Sequence, residues 1–567
     1  MNLRSYIQLV SLIVLLHVTC PFASAQERTA DFTAFRARQM KHHHDGGYMW
    51  QPFSKASFTK AEDGTYRIIV VLAEYSDVSF FYKREHFEKM LNGEGYSDFG
   101  AQGSAREYLE AQLRCKVEIT ITDIVKLSQT RQYYGMDSEL TGSDAKAGSF
   151  VAEACTLAAA GTDFSAFDMN GDGLVDNVFV IFAGEDQAQC MGEHPEYMWS
   201  HSYNLLNSDY GKTLELGNIS INNYGCCSEL YRRYDSSGFE TVMAPIGTFC
   251  HEYLHNLGLS DLYDTDYEKS GGRAAGVWGY TALMSSGNYN NNGNTPANLN
   301  AIDLQSLGVM EPEPLKQGSY TLYPLSDSRA RTYIMSNPAN PAEYYLFEAR
   351  NTEGWDQYIG LDADPGVGML VYHIDKREDM SSESETFGAI SSYDRWHRYN
   401  EVNANPKHQC ADLIEADGRS DINPDEASQK NIGGIFFPAY GASALGGDAK
   451  IPLSFWDGSN STYAIRNIRV ENGAVLFSCV DLTSPLPPPA EAAPKDDEML
   501  YIIVVAHADG RLELSVSNAF EGTVSWYFDN KPLGDVSEGF KPSGPGMIRA
   551  EITWPDGSTD NLYKEQR

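Results

Sequence analysis

Two histidines, a glutamate and an aspartate stand within one short stretch, Cys250-His251-Glu252-Tyr253-Leu254-His255-Asn256-Leu257-Gly258-Leu259-Ser260-Asp261. Residues four apart share one face of a helix, so His251 and His255 can present both imidazoles to one metal ion. Glu252 sits about a quarter turn away, where it can take a proton from a metal-bound water. Asp261 follows His251 by ten residues, across a glycine that permits a sharp turn, and is placed to return as a third ligand. Three protein ligands leave a fourth position open, as catalytic zinc requires. The competing account is a pair of exposed helix histidines beside a solvated glutamate.

The elements around the motif must hold it still. Pro245 suits a first helical position and Gly258 the left-handed residue that ends a helix. Ile246, Phe249, Cys250, Tyr253 and Leu257 fall opposite the histidines, which predicts an apolar back and a ligand-bearing front facing a cleft. Upstream, Tyr66 to Ala73 reads as a buried strand. Ser104 and Glu107 have capping-box spacing for a helix, Lys116 to Val125 alternates like a strand, and Gly148 to Ala160 reads as a helix. Val178 to Ala183 is a further buried strand, expected in the central sheet beside the histidine helix.

A second candidate site precedes that strand. Asp168, Asn170, Asp172, the Leu174 carbonyl and Asp176 place oxygens at alternate positions, with Gly173 at the sixth for the turn, like the first half of a calcium loop. Phe179 occupies the twelfth position, where a glutamate would complete an EF-hand, so that motif is excluded. An ordinary turn rich in Asp, Asn and Gly is the alternative. Downstream, Met284 lies in Val277-Trp278-Gly279-Tyr280-Thr281-Ala282-Leu283-Met284-Ser285-Ser286-Gly287, a run that otherwise reads as core.

Composition bounds the rest. The chain has 567 residues, too many for one core, and a formal net charge of −35, which argues against nucleic acid and anionic membranes as partners. Residues 1–25 read as a secretory signal, with Arg4, an apolar core from Ile7 to Val18 and Ala23-Ser24-Ala25 as the cleavage site. That run is too short to span a bilayer and no later run is long enough. A secreted protein is expected, with surface attachment or a periplasmic location as the alternatives. Eight cysteines remain after cleavage (Cys115, Cys155, Cys190, Cys226, Cys227, Cys250, Cys410, Cys479), open to disulfides or to buried free thiols. His42-His43-His44-Asp45 lies in a polar leader, residues 26–60, and could bind metal or simply be solvated.

These motifs together resemble the immune-inhibitor-A family of secreted zinc metallopeptidases. The resemblance spans roughly residues 65–480. It rests on the zinc motif with Asp-Leu-Tyr-Asp at 261–264, Leu-Met-Ser-Ser-Gly at 283–287, and Ser104 to Tyr108. Asp168 to Gly184 and Trp199-Ser200-His201 also match, as do Glu343 to Glu348, Gly354-Trp355-Asp356, Gly368 to Asp375 and Leu413 to Gly418. It implies His251, His255 and Asp261 as zinc ligands, Glu252 as general base and Met284 as the methionine turn beneath the metal. The family's long propeptide has only the short leader, a possible pro-segment, as its counterpart here.

The resulting expectation is an α+β chain. A metzincin-like zincin catalytic domain occupies 61–309 and a β-rich module 310–482, whose acidic loop Glu415 to Glu426 is either solvated or a further calcium site. A proline-rich linker covers 483–498 and a small immunoglobulin-like β-sandwich 499–567. The expected function is a secreted zinc endopeptidase, with zinc and calcium as cofactors, acting on proteins or peptides through a zinc-activated water and Glu252. Tyr280 and Tyr289 are two candidates for stabilising the oxyanion, against plain aromatic packing for each. Two rivals stand beside it: an adhesion protein on a peptidase-like scaffold, and a zinc hydrolase of non-peptide bonds.

Overall fold

The structure is a computed structural model. It describes residues 58–483, apart from 140–141, 177, 191–192, 236–237, 267–269, 273, 275–278, 362–365 and 419–431, and most of 502–566. The chain divides into two compact units, Met1–Thr483 and Ser484–Arg567.

The first unit is built on a six-stranded sheet. Its strands are β1 (Tyr66–Glu74), β2 (Val117–Lys126), β3 (Val178–Glu185), β4 (His201–Asn204), β5 (Asn223–Asp235) and β6 (Gly238–Met243). The order is β2-β1-β3-β5-β4, with β6 paired to β5. Pairings β1–β2, β1–β3 and β3–β5 are parallel, while β4 and β6 run antiparallel to β5. The sequences of β1 and β3 are unbroken apolar runs because both faces of a central parallel strand are covered. In β1, Ile68, Val70 and Leu72 join one core, while Ile69, Val71 and Ala73 join another on the opposite face.

Helices α1 (Arg84–Asn92), α2 (Ala105–Leu113) and α4 (Ile246–Asn256) contribute to the first core, and α3 (Ala147–Ala158) to the second. The capping box expected for α2 forms: the Ser104 amide donates to Glu107 Oε2 at 2.8 Å, and the Glu107 amide donates to Ser104 Oγ at 3.3 Å. The histidine helix α4 lies on β3, with the Phe179 and Phe249 rings 4.6 Å apart, so strand 178–183 is central and beside it, as expected.

Residues beyond 310 form a five-stranded sheet in the order Ala411–Leu413, Val367–Asp375, Glu343–Asn351, Tyr333–Ser336, Glu313–Pro314, and a three-stranded one from Gly318–Leu322, Ala474–Asp481 and Tyr463–Glu471. They do not make a separate globule. Leu346, Leu370, Tyr372 and Trp396 share one core with Tyr66, Leu254 and Met284. Between the strands, Ser392–Asp394 is a helical turn and Arg395–Tyr399 a single wide turn.

A buried ionic cluster joins these parts. Arg350, fully buried, pairs with Glu348 at 3.2 Å and with Asp356, and donates to the Thr281 and Asn298 carbonyls at 3.0 and 3.3 Å. Glu348 accepts from the Ala301 amide at 2.6 Å, at the start of α5 (Ala301–Ser306).

The second unit has a two-stranded pair, Ile502–Ala506 with Leu512–Val516, and a four-stranded sheet of Lys531–Pro532, Thr523–Phe528, Gly546–Thr553 and Thr559–Gln566. Ile502, Leu512, Leu514, Trp526, Ile548 and Ala550 form its core. Among the described residues all eight cysteines are unbridged, seven of them buried as free core thiols and Cys115 partly exposed.

On α5, burial first and then the nearby Glu348 charge push the Asp303 carboxyl up to about 8. Between the ordinary carboxylate range and that value, the folded protein holds a proton the unfolded chain has released. Stability is therefore present at low pH and falls as pH rises through the window, by up to about 1.4 kcal/mol per pH unit. Asp303→Asn is expected to remove that decline, measured by urea unfolding between pH 5 and 8.

Candidate functional site

Helix α4 carries the motif and is fixed at both ends. Pro245 is the residue before the first turn, with Ile246 opening the helix. A side-chain carbon on Gly247 would stand 1.8 Å from the Asn288 carbonyl oxygen, so this turn lies directly against the segment after Met284. At the far end Gly258 adopts φ +90°, the left-handed conformation that suits glycine, and the Leu259 amide donates back to the Leu254 carbonyl at 3.3 Å.

His251 and His255 are buried, with ring centroids 4.8 Å apart and planes at 86°. His251 Nδ1 donates to the Leu283 carbonyl at 2.9 Å and His255 Nδ1 to the Leu259 carbonyl at 2.8 Å. Those bonds leave each Nε2 as the free donor atom, the arrangement that orients histidine ligands. Asp261 returns as the spacing predicted. Its Oδ1 is 3.4 Å from both Nε2 atoms, is buried and makes no hydrogen bond.

This geometry tests the fit of a metal. Ligands about 2.0–2.1 Å from a tetrahedral ion stand about 3.3–3.4 Å from one another, and an orphaned carboxylate oxygen facing two oriented imidazoles has the chemistry of a cation site. The donors therefore fit zinc. His251, Glu252 and His255 likewise place one ligand atom each within 4.8 Å of one another.

The electrostatics agree. Burial opposes the charge on Asp261, but His255 and His251 outweigh it and hold the carboxyl well below its ordinary range. Burial would depress His255, yet Asp261 raises it. Glu252 keeps part of its surface open. The protein around it nevertheless pushes its carboxyl up to about 8 by desolvation, with His251 opposing and Asp261 and Asp186 adding to the rise.

Met284 is fully buried, and its carbonyl accepts the Leu262 amide at 2.8 Å. Consecutive carbonyls of one turn, Leu283 and Met284, thus hold the first histidine and the returning aspartate segment. Tyr280 and Tyr289 are both half-buried in the neighbouring segment. His201 is a buried neutral histidine whose Nδ1 donates to the Trp199 carbonyl at 2.8 Å and whose Nε2 accepts from Tyr224 Oη at 3.1 Å, and burial pushes its pKa down to about 4.

Sequence reasoning missed the far side of the site. Asn400 donates from Nδ2 to Asp261 Oδ2 at 2.7 Å and accepts the Asp261 amide on Oδ1 at 2.8 Å. Ser260 Oγ donates to the Trp396 carbonyl at 3.0 Å, and Asn403 Nδ2 to the Leu262 carbonyl at 2.9 Å. No motif marks these residues.

At the second candidate site the loop oxygens are turned inward. Asp168 accepts the amides of Gly171, Asp172 and Gly173 at 2.8–3.1 Å, Asn170 accepts that of Asp172 at 2.9 Å, and Asp172 that of Leu174 at 2.9 Å. Asp176 accepts the Met169 amide at 2.6 Å. These bonds are what an Asx-rich turn makes for itself. Residues 1–25, His42-His43-His44-Asp45, the segment 484–498 and most of Glu415 to Glu426 lie outside the described residues.

A mixed sheet carrying a helix with two oriented histidines, a buried third donor and an adjacent half-open glutamate defines a candidate metallohydrolase. Comparison with known proteins narrows the class. Residues 72–307 match the family described as immune inhibitor A peptidase M6, catalytic domain, so the resemblance read from the motifs holds over that segment. The chain is 28% identical over 256 residues to immune inhibitor A of Bacillus thuringiensis subsp. alesti, covering 37% of this chain and 36% of that protein. It is 26% identical over 229 residues to the pre-pro-metalloprotease PrtV of Vibrio cholerae serotype O1, covering 37% of this chain and 24% of that one. The match thus spans about a quarter to a third of these relatives' lengths. A family of metallopeptidases implies a metal, typically zinc, and the donor set described above suits it.

Because a side chain at 247 has only rigid backbone to meet, Gly247→Ala is expected to cost about 1–3 kcal/mol, read as a lower urea midpoint. An unchanged midpoint would mean that the start of α4 is not seated as described.

Proposed function

We propose that this protein is a secreted zinc-dependent endopeptidase with a metzincin-like catalytic unit. The observation that carries the reading is the buried, unbonded Oδ1 of Asp261, 3.4 Å from both histidine Nε2 atoms. His251, His255 and Asp261 would hold zinc, which supplies Lewis acidity to a scissile carbonyl and to the attacking water. Glu252 does the proton work. As a carboxylate beside the metal position it would accept the water's proton at a carboxylate oxygen and deliver it to the leaving amine nitrogen. Leu283 and Leu259 keep the imidazoles in the right tautomer throughout. Met284 is the turn beneath the metal in this reading. The relatives' names, a metalloprotease and an immune inhibitor A, support protein or peptide substrates.

Secretion rests on the apolar segment at 7–18 and the small-residue site at 23–25. Among the described residues no helix is long and apolar enough to cross a membrane. The domain reading is a catalytic portion at 61–309, a β-rich portion at 310–482, and an immunoglobulin-like tail at 499–567 whose two small sheets share one core. Glu252 argues against a pure adhesion module, which needs no base.

Glu252→Ala is expected to keep one zinc per chain and lose about two to four orders of magnitude in casein cleavage. His255→Ala should lose the zinc as well. Metal analysis and activity of the purified proteins check both, and activity of Glu252→Ala within tenfold of the parent would overturn the role of the base.

A structural calcium at Asp168, Asn170, Asp172, the Leu174 carbonyl and Asp176 is the second part of the proposal. Burial chiefly, against the Met169 amide that lowers it, and then the charges of Asp168 and Asp172 hold the Asp176 carboxyl up at about 6, and a cation among these oxygens would relieve the charge crowding. The loop is tied to the residue 220 segment by the Val175 amide to the Ser220 carbonyl and the Ser220 amide to the Gly173 carbonyl, both 2.9 Å. Millimolar calcium should therefore raise the melting temperature, and Asp172→Ala should abolish that response while sparing zinc content. A melting temperature indifferent to calcium leaves only the turn.

A further inference from the structure

We infer that Asn400 is the positioning residue that selects which oxygen of Asp261 faces the metal, and that it belongs to the catalytic machinery although it lies far beyond the segment matched to the peptidase family. The inference rests on the zinc-site reading above and assigns a role within it. The matched segment ends at 307, whereas Asn400 is 139 positions from the aspartate it holds.

Three features carry the argument. First, the amide bonds Asp261 twice, accepting its backbone N–H at 2.8 Å and donating to Oδ2 at 2.7 Å. A planar amide that fixes the backbone nitrogen and one carboxylate oxygen together fixes the side-chain torsions between them. Oδ2 is consumed, and Oδ1 alone points at the two imidazoles, buried and unbonded. Asp261 is thereby presented as a one-oxygen ligand, which keeps a coordination position free for water and substrate.

Second, the same residue pins the other end of the ligand loop. The Thr265 hydroxyl donates to the Asn400 carbonyl at 2.8 Å, so loop 261–265 is held at both ends by one residue. Asn400 manages this at φ +50°, ψ 35°, a left-handed conformation that asparagine tolerates better than most.

Third, Asn400 is itself rigidly held. Arg395, fully buried, begins the wide turn that ends at Asn400. Its guanidinium pairs with Glu401 at 3.2 Å and donates to the Ser382 and Glu383 carbonyls at 3.1 and 2.7 Å. Asn403 bonds the Leu262 carbonyl at 2.9 Å and the Ala411 carbonyl at 3.0 Å. A ligand's hydrogen-bond partner is worth about 10–100-fold in metal affinity when it is removed.

The test uses the full chain and two variants. Asn400→Asp keeps shape and the acceptor for the Asp261 amide but turns the donor into a carboxylate facing a carboxylate. Asn400→Gly keeps the left-handed backbone and removes the amide. Circular dichroism establishes which fold, and competition with a calibrated chelator gives the zinc dissociation constant of each folded protein. The visible spectrum of the Co(II)-loaded proteins reports coordination number. Zinc affinity should fall about 10–100-fold in both variants, and the Co(II) spectrum should shift toward higher coordination as Oδ2 is released. Parental affinity and spectrum in either folded variant would overturn the assignment, since a merely structural asparagine would change stability and not the metal. A parent that binds no zinc would instead overturn the metal-site reading itself.

Discussion

Burying a carboxylate oxygen without a hydrogen bond costs at least about 1–3 kcal/mol, and a charged one costs more unless a cation answers it. Asp261 Oδ1 is such an oxygen, and much of the first unit serves to keep it there. Its partner oxygen is taken by Asn400, its backbone by the same amide, and the residue after it by the Met284 carbonyl. The two imidazoles opposite are locked by carbonyls of Leu283 and Leu259. With Oδ2 and both Nδ1 atoms bonded elsewhere, Oδ1 and the two Nε2 atoms face one another.

The sheet makes this rigidity possible. Helix α4 stands on β3 through Phe179, and Gly225 on β5 lets that ring close in, since a side-chain carbon there would lie 2.7 Å from it. Behind the methionine turn, Arg350 reaches from the second sheet to the Thr281 carbonyl, two residues before Leu283. The carbonyl that orients His251 is therefore backed by a buried cluster of one guanidinium between two carboxylates. Such clusters specify geometry more than they add stability.

Local patterning made the histidine helix, its apolar back, the capping box at Ser104 and the buried strands legible, because each is written within a few turns or strand residues. Asp261 was legible for the same reason: one glycine and ten residues fix where it can return. Asn400 was not, since an asparagine in a polar stretch carries no periodicity and its importance comes from a tertiary contact. The partition at 309/310 reflects the same limit. A change from helices to strands reads as a boundary, yet Leu346, Leu370 and Trp396 share a core with Leu254 and Met284. The acidic loop at 168–176 shows the converse, for its spacing is plain while its oxygens bond the loop's own amides.

The distance along the chain between Asp261 and Asn400 also sets an order of events during synthesis. Helix α4 and both histidines leave the ribosome well before the turn at 395–400, and the Ala411 strand that holds Asn403 follows later still. Closing a contact across 139 positions carries a loop entropy that local helix contacts do not. A chain made only up to that point has its motif but not the amide that fastens Asp261. Sequence distance thus makes the Asp261–Asn400 pair a late-closing contact, set behind the local structure of α4.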